Sequence, residues 1–206
     1  MPVTDLSQHT RLLELFPCPV QVSEHPAPKR LNKELQEVVK QLRDATPNSR
    51  PEEWACNVYT TIENQNEIHL HPAFEKITQF ITQETFIFAK ENGIFIPDSN
   101  VIIKNMWVNI YEKGCSMDVH NHPNSLFSGI YFIKSSKNSA KLVFESPSSE
   151  KMISVPVINN NTYNVENIGY EPNEGKLILF NSNLKHKVLL HNSDEERITI
   201  SFTAVV

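Results

Sequence analysis

The stretch Gly114-Cys115-Ser116-Met117-Asp118-Val119-His120-Asn121-His122 lies near the middle of a 206-residue chain and contains two histidines two positions apart. On a β-strand, such side chains point to the same face and lie about 6–7 Å apart along the chain. Imidazole binds Fe, Zn, Cu and Ni, so His120 and His122 form a candidate pair of metal ligands. Asp118 shares their strand parity, and we consider it either a further ligand or an acceptor for an imidazole N–H.

Two residues further along the chain complete this pattern. His186 follows the strand-like run Lys176-Leu177-Ile178-Leu179-Phe180, and Arg197 begins the apolar run Ile198-Thr199-Ile200-Ser201-Phe202. His186 is the third candidate ligand. A guanidinium such as that of Arg197 can bind a carboxylate through two parallel hydrogen bonds, and Thr199 on the same strand face can add a third. The pattern predicts a mononuclear metal site that also holds a dicarboxylate.

Other residues with ligand chemistry fit the pattern less well. Cys115 has the opposite strand parity from the histidine pair, and Glu145 would have to approach from another strand. His69 and His71 precede a predicted helix and have no arginine placed like Arg197, so we interpret them as surface or helix-capping residues. A lone histidine on a strand is usually an ordinary polar residue, but a His-x-His pair with a distant third histidine is more specific.

Composition limits the class of protein. Hydrophobic residues make up 39% of the chain, which is enough for the core of one domain of ordinary size. The net charge of −5 disfavours nonspecific binding to nucleic acid, and we expect no nucleic-acid partner. Three cysteines without CxxC spacing favour a reducing compartment. We see neither a signal peptide nor an apolar run of about 20 residues, so we expect a soluble cytoplasmic protein that does not span a membrane.

Helical periodicity is confined to the first half of the chain. One helix is predicted after Asn32, a fair cap, and a second from near Pro72 to Gly93. Their apolar positions are Leu35, Val38, Val39 and Leu42 in the first helix, and Phe74, Ile77, Ile81 and Phe88 in the second. The proline-rich run from Leu15 to Val22 predicts an edge strand, where proline is tolerated.

Short β-type runs separated by turn residues fill the second half. The predicted strands are Ile102–Tyr111, Val119–His122, Phe127–Lys134, Lys141–Glu145, Met152–Pro156, Lys176–Phe180, His186–Leu190 and Arg197–Val205. Helices first and strands second predict an α+β fold, here a double-stranded β-helix (jelly roll) with N-terminal supporting helices. We expect a single domain over residues 1–206. Residues 1–100 would supply the N-terminal strand and helices, and residues 101–206 the jelly-roll core with the metal site.

From about Ile102 to Phe202, the chain resembles the 2-oxoglutarate/iron(II)-dependent dioxygenases of the prolyl-4-hydroxylase-like type. Asn109-Ile110-Tyr111-Glu112-Lys113-Gly114 with the His-x-His pair is similar to their first metal strand, and Ser128-Gly129-Ile130-Tyr131-Phe132-Ile133 to the strand that backs the cosubstrate. Gly175–Phe180 with His186, and Arg197–Phe202, resemble the closing motifs. With its Leu-Phe-Pro-x-Pro-Val element at residues 15–20, most of the chain resembles a group of uncharacterised oxygenases of bacteria and phages, and the C-terminal half carries the more specific motifs.

This resemblance implies a cofactor, a cosubstrate and a reaction. Fe(II) would be bound by His120, His122 and His186, with His122 in the place of the family's usual Asp or Glu. The distal carboxylate of 2-oxoglutarate would be bound by Arg197 with help from Thr199, Tyr111 and Ser128. No catalytic residue beyond the metal ligands is expected. The enzyme would hydroxylate a C–H bond of a peptide, an amino acid or a small metabolite, releasing succinate and CO₂ in the cytoplasm of a bacterium or a phage-infected host. A homodimer is left open.

Two alternatives remain open at this stage. Gly114, followed after five residues by the His-x-His pair, fits the opening of the first cupin motif, but Leu126 and Phe127 stand where its glutamate is expected. A cupin-type dioxygenase or isomerase would not use 2-oxoglutarate and would leave Arg197 without a role. The other alternative is a non-catalytic binding module in which His122 marks a decayed site. Failure to bind any divalent metal would favour that module.

Overall fold

A computed structural model provides the structure of the protein and describes residues 13, 15–55, 57–97, 100–148, 153 and 156–206. Over these residues the chain forms two α-helices and ten β-strands. The helices are α1 (Pro28–Ala45) and α2 (Glu75–Glu91). The strands are β1 (Val20–Glu24), β2 (Tyr59–Thr60), β3 (Ile102–Tyr111), β4 (Met117–His120), β5 (Phe127–Lys134), β6 (Leu142–Glu145), β7 (Asn167–Tyr170), β8 (Lys176–Asn181), β9 (His186–Val188) and β10 (Arg197–Val205).

The strands of the described residues pair in two antiparallel sheets. The major sheet has six strands in the order β1-β8-β5-β10-β3-β2, and the minor sheet has four in the order β4-β9-β6-β7. The sheets pack face to face, because Phe144 of the minor sheet contacts Phe180 of the major sheet with ring centroids 4.8 Å apart. The fold is therefore mixed α/β with helices before most of the strands, and β1 lies at a sheet edge as predicted.

The two faces of the major sheet have opposite chemical character. Alternate residues of a strand point to opposite faces. On β10, Ile198, Ile200, Phe202 and Ala204 are buried in an apolar cluster with α1 and α2. Arg197, Thr199, Ser201 and Thr203 are also buried, but they occupy the inner face, toward the minor sheet. The helices thus cover one side of the sheet, and the polar face remains available for a site.

The helices form largely where the periodicity predicts them. The apolar stripe of the second helix is buried, and a short 3₁₀ turn at Pro72–Phe74 precedes α2. Asn32, however, is not a cap, because Pro28 occupies the first turn of α1, where its missing N–H costs nothing. Asn32 instead accepts a 2.7 Å hydrogen bond from the Tyr131 hydroxyl and fastens α1 to β5. In the described ranges, neither helix is both long and apolar enough to traverse a lipid bilayer.

The strand predictions differ from the structure at several positions. β3, β5 and β10 have the predicted bounds, whereas β4 ends at His120, so that His122 follows the strand rather than belonging to it. β7 was not predicted, since Asn167 and Gly169 are poor strand formers. Most of the predicted strand Met152–Pro156 lies outside the described residues.

Candidate active site

Three histidines converge at one end of the minor sheet. β4 and β9 are adjacent, and their register places His120 directly opposite His186. His122 reaches the same point from the segment after β4, where its backbone N–H donates a 3.0 Å hydrogen bond to the Ser182 carbonyl. The ring centroid of His186 lies 4.3 Å from that of His120 and 5.2 Å from that of His122. One ring nitrogen from each histidine lies within 4.8 Å of the others, a separation that suits one shared metal ion.

Main-chain carbonyls orient two of the three rings. Nδ1 of His120 donates a 2.7 Å hydrogen bond to the Asp118 carbonyl, and Nδ1 of His186 donates a 2.9 Å bond to the Leu184 carbonyl. A carbonyl oxygen can only accept, so each Nδ1 carries the proton and each Nε2 keeps its lone pair for a metal. Asp118 therefore acts through its main chain. Its carboxylate is not part of the histidine cluster.

All three imidazoles are held in the neutral form. Burial lowers the pKa of His120, the pKa of His122 to about 4 and the pKa of His186 to about 3, and the neighbouring histidine ring adds to the last two effects. Neutral imidazole is the form that ligates a metal. At neutral pH the cluster is therefore ready to bind a cation without first releasing protons.

The other candidate ligands have different surroundings. Cys115 is buried in an apolar cluster, and Glu145 forms a 3.0 Å ion pair with Lys187. His71 caps the turn before α2, since its Nδ1 accepts a 3.2 Å hydrogen bond from the Ala73 N–H, as its sequence position predicts. Among the described residues, the three clustered histidines form the only group of three or more side chains able to hold a metal.

Arg197 is a buried cation that forms no ion pair with any described residue. It is only 1% exposed and lies opposite Tyr111 in the β3–β10 register. Its guanidinium carbon lies 4.8 Å from the ring centroid of Tyr111 and 5.1 Å from that of Phe132. Nε and Nη2 are buried and have no hydrogen-bond partner in the described part of the chain. Burial lowers the pKa of Arg197 to about 10, so the group remains charged at neutral pH. This arrangement suits a bound carboxylate, which would supply both hydrogen bonds and charge.

Unpartnered polar atoms concentrate on the inner face of β3 and β10. In the described part of the chain, six buried side-chain nitrogen or oxygen atoms lack a partner. Five of them belong to this face: Trp107 Nε1, Asn109 Oδ1, Arg197 Nε, Arg197 Nη2 and Thr203 Oγ1. Buried polar groups are normally hydrogen-bonded, so such a concentration indicates a surface built for a polar ligand. Thr199, which is 1% exposed, pairs with Asn109 on the same face.

Ser128 does not lie beside Arg197. It pairs with Thr203, six residues along β10 from Arg197, which corresponds to roughly 20 Å of strand. Its hydroxyl is 2.7 Å from the Ser182 hydroxyl. Ser128 is therefore too far from Arg197 to help bind the same carboxylate, which corrects the expectation from the sequence. The order of motifs along the chain does not reveal the register between strands. Asn109 was assigned no role from the sequence, although an asparagine within the buried strand β3 was a usable signal.

A cavity of about 360 Å³ lies beside the three histidines and the inner face of β3. The three histidines line it together with Asn109, Tyr111 and both tryptophans of the chain, Trp54 and Trp107. Arg197 is not part of the cavity wall and lies behind Tyr111. The ring of Trp107 lies 5.8 Å from that of His122. The cluster of three histidines, Arg197 and the aromatic cavity together form a candidate active site.

Three solved structures with a similar fold are two prolyl hydroxylases and a protein that has 2-oxoglutarate bound. A prolyl-4-hydroxylase from Pseudomonas putida is 12% identical with a TM-score of 0.62, covering 91% of this chain and 92% of that chain. A prolyl hydroxylase from Trichoplax adhaerens, in complex with a hypoxia inducible factor peptide, is 14% identical with a TM-score of 0.60, covering 90% and 82%. HygX from Streptomyces hygroscopicus, with nickel, 2-oxoglutarate and hygromycin B bound, is 8% identical with a TM-score of 0.59, covering 91% and 82%.

At these identities the structural likeness establishes the fold alone. The sequence adds a match to a family model: residues 105–203, which include the three histidines and Arg197, match the family described as "Putative 2OG-Fe(II) oxygenase". Among curated protein sequences, none matches the chain significantly. The fold and site are similar to those of prolyl-4-hydroxylases and related oxygenases. Residues 105–203, slightly less than half of the chain, match a family of oxygenases that is described by its use of 2-oxoglutarate and Fe(II).

Proposed function

We propose that this enzyme hydroxylates a C–H bond of a peptide, an amino acid or a small metabolite, converting 2-oxoglutarate to succinate and CO₂. The observation that carries the proposal is the placement of Arg197, a buried and unpartnered cation, in the same inter-sheet region as three converging neutral histidines. A metal cluster alone would fit many enzymes. The additional buried cation favours an anionic ligand in the same region.

We assign the metal ligands as His120, His122 and His186. The donor set fits Fe(II), since imidazole binds this ion and the three ring nitrogens approach one point. With three neutral ligands the ion keeps its full +2 charge, where a carboxylate at position 122 would reduce it. The dianion 2-oxoglutarate then provides the compensating charge. When bound, the iron supplies the oxygen chemistry of the reaction.

The rest of the site orients the reactants and excludes water. Arg197 would clasp the distal carboxylate of 2-oxoglutarate, and Tyr111 and Thr199, its neighbours on the inner face, would complete that subsite. Trp107 and Trp54 would wall the chamber in which the substrate C–H bond is presented. Removing water from such a chamber strengthens the charge interactions and suppresses side reactions.

Several wider expectations are part of the proposal. The two facing antiparallel sheets support a jelly-roll core, and the packing of α1 and α2 on the major sheet supports a single domain over residues 1–206. The acidic balance supports the absence of a nucleic-acid partner, and the odd cysteine count supports a cytoplasmic location. Neighbours of this fold bind a peptide or a small molecule, so both substrate kinds remain in the proposal.

Anaerobic reconstitution with Fe(II) tests the proposal directly. We expect one equivalent of Fe(II) per chain, and a new visible absorption band when 2-oxoglutarate is added, because its chelation changes the electronic spectrum of the metal. On exposure to air, the complex should form succinate. The matched control is His71→Asn, which alters an exposed histidine but keeps a capping residue, and it should behave as the wild type.

The same experiment separates the proposal from the cupin alternative. A cupin-type enzyme would bind the metal, yet its spectrum would not respond to 2-oxoglutarate. That result would refute the proposed cosubstrate while leaving the metal site intact. Failure to retain any divalent metal would refute the metal site itself and favour a binding module.

A further inference from the structure

The cavity wall has an unbalanced set of charges. Among its described residues the ionised side chains are Glu53 and Asp118, and no lysine or arginine lines the cavity. Both carboxylates belong to exposed residues, and neither forms an ion pair within the described chain. Arg50, on the same loop as Glu53, donates instead to the main-chain carbonyls of Pro51 and Trp54. Once 2-oxoglutarate balances the +2 charge of the bound ion, these two carboxylates make the cavity wall net negative toward an entering substrate.

Aromatic rings line the same cavity. Trp54 and Trp107 both contribute to it, and indole faces attract organic cations through their π electrons. Trp107 is 4% exposed, and its buried Nε1–H has no acceptor among the residues that the structure describes. This unpartnered donor, independent of the carboxylates, indicates that a ligand with a hydrogen-bond acceptor completes the pocket. The cavity thus combines aromatic faces, carboxylates and one N–H donor. These three features suit a ligand that carries both a positive charge and a hydrogen-bond acceptor.

We propose that the substrate is an organic cation, an ammonium or guanidinium group on an apolar body that also carries a hydrogen-bond acceptor. The cation would lie against the tryptophans within reach of Glu53 and Asp118, and the apolar body would place its C–H bond toward the histidines. This inference rests on the proposed function, because it takes the cavity beside the metal as the substrate chamber. It goes further by selecting basic peptides and amines over neutral and acidic compounds.

Three probes on one carbon skeleton test the charge preference. Cyclohexylmethylammonium, cyclohexylmethanol and cyclohexanecarboxylate are nearly the same size and differ in charge. Both tryptophans of the chain line the cavity, so a change in selectively excited tryptophan fluorescence, including quenching, reports on this space. The titrations use the anaerobic protein loaded with Fe(II) and 2-oxoglutarate, and are repeated with metal-free protein. We expect the cation to bind about 5- to 10-fold more tightly than the alcohol, since each partly exposed charge pair adds a modest factor, and the carboxylate to bind most weakly.

Substitution of the carboxylates is the decisive comparison. The double variant Glu53→Gln/Asp118→Asn should bind the ammonium probe and the alcohol within about twofold of each other. The single variant Glu53→Gln should lose part of the preference, and it keeps the test available if the double variant folds poorly. Glu52→Gln removes an adjacent exposed charge that does not line the cavity and should keep the full preference.

Each contrary result has a defined meaning. Equal or tighter binding of the alcohol or the carboxylate overturns the proposed substrate class, as does an absence of quenching by all three probes at tens of millimolar. A preference that survives in the double variant overturns the role of the two carboxylates. If 2-oxoglutarate fails to change the Fe(II) spectrum in the same samples, the proposed function is refuted instead, so the two failures are distinguishable.

Discussion

The histidine cluster and Arg197 differ in how completely the protein satisfies them. His120 and His186 each have a main-chain partner at Nδ1, and all three clustered histidines are held neutral. Arg197 is fully buried and charged, and two of its nitrogens have no hydrogen-bond partner within the described ranges. The histidine cluster, or metal end of the site, is thus oriented and neutral before any ligand binds. The region around Arg197, or arginine end, instead carries an unfavourable buried charge. Metal binding should therefore need little rearrangement, and cosubstrate binding should stabilise the protein.

The largest effect should follow from removal of His186. It is 2% exposed and lies at the centre of the cluster, opposite His120. Because second-sphere changes alone cost about 10- to 100-fold in metal affinity, we expect His186→Gln to lose at least 100-fold in Fe(II) affinity and all measurable succinate formation. Metal content after gel filtration and succinate yield check this expectation. A variant that kept one iron per chain with unchanged affinity would exclude His186 as a ligand.

Replacement of Arg197 should weaken cosubstrate binding without affecting metal binding. We expect Arg197→Met to keep the metal but to weaken 2-oxoglutarate binding by about 100- to 5,000-fold, because a buried charge pair broken on one side costs about 3–5 kcal/mol. The same change should raise the unfolding free energy of the ligand-free protein by about 1–4 kcal/mol, since an uncompensated cation leaves the core. Denaturant unfolding with and without 2-oxoglutarate measures both effects.

Arg197→Lys sharpens this test. Lysine keeps the charge but lacks the planar fork of donors, so 2-oxoglutarate affinity should lie between those of the wild type and Arg197→Met. A ligand-free Arg197→Met protein that was less stable than the wild type would mean that the guanidinium stabilises the empty fold. The proposed contrast between a satisfied histidine cluster and an unsatisfied Arg197 would then be wrong.

His122 allows the ligand set itself to be varied. It lies outside the paired strands and is less buried than His186, so His122→Ala should lose about 10- to 100-fold in metal affinity. His122→Asp should retain the metal, because a carboxylate oxygen also binds Fe(II). Its added negative charge should weaken 2-oxoglutarate binding by a few-fold. Isothermal titration of Fe(II), followed by 2-oxoglutarate, measures each step. Unchanged metal affinity in His122→Ala would show that two histidines suffice.

Sequence reasoning was most reliable where the chemistry is local. The His-x-His spacing and the alternation along Arg197–Val205 follow from strand geometry, and the apolar stripe of α2 follows from helix geometry. Which strands become neighbours depends on tertiary packing. The sequence therefore does not reveal that Ser128 of β5 pairs with Thr203, at the end of β10 opposite to Arg197. Nor does it reveal the hydrogen bond between Asn32 and Tyr131. The missing counter-charge of Arg197 is likewise visible only once every neighbour is in place.

The smallest predicted effect tests how far the arginine subsite extends along β10. Thr199 and Thr203 are buried on the same inner face, but Thr199 is two residues from Arg197 and Thr203 is six. We expect Thr199→Val to weaken 2-oxoglutarate binding by about 5- to 10-fold, the value of one hydrogen bond of about 1–1.5 kcal/mol. Thr203→Val, the matched control, should leave that affinity unchanged and slightly raise stability, because Thr203 Oγ1 is buried without a partner. Equal losses in both variants would mean that the ligand lies along the whole strand, and that the two ends of the site are not separate.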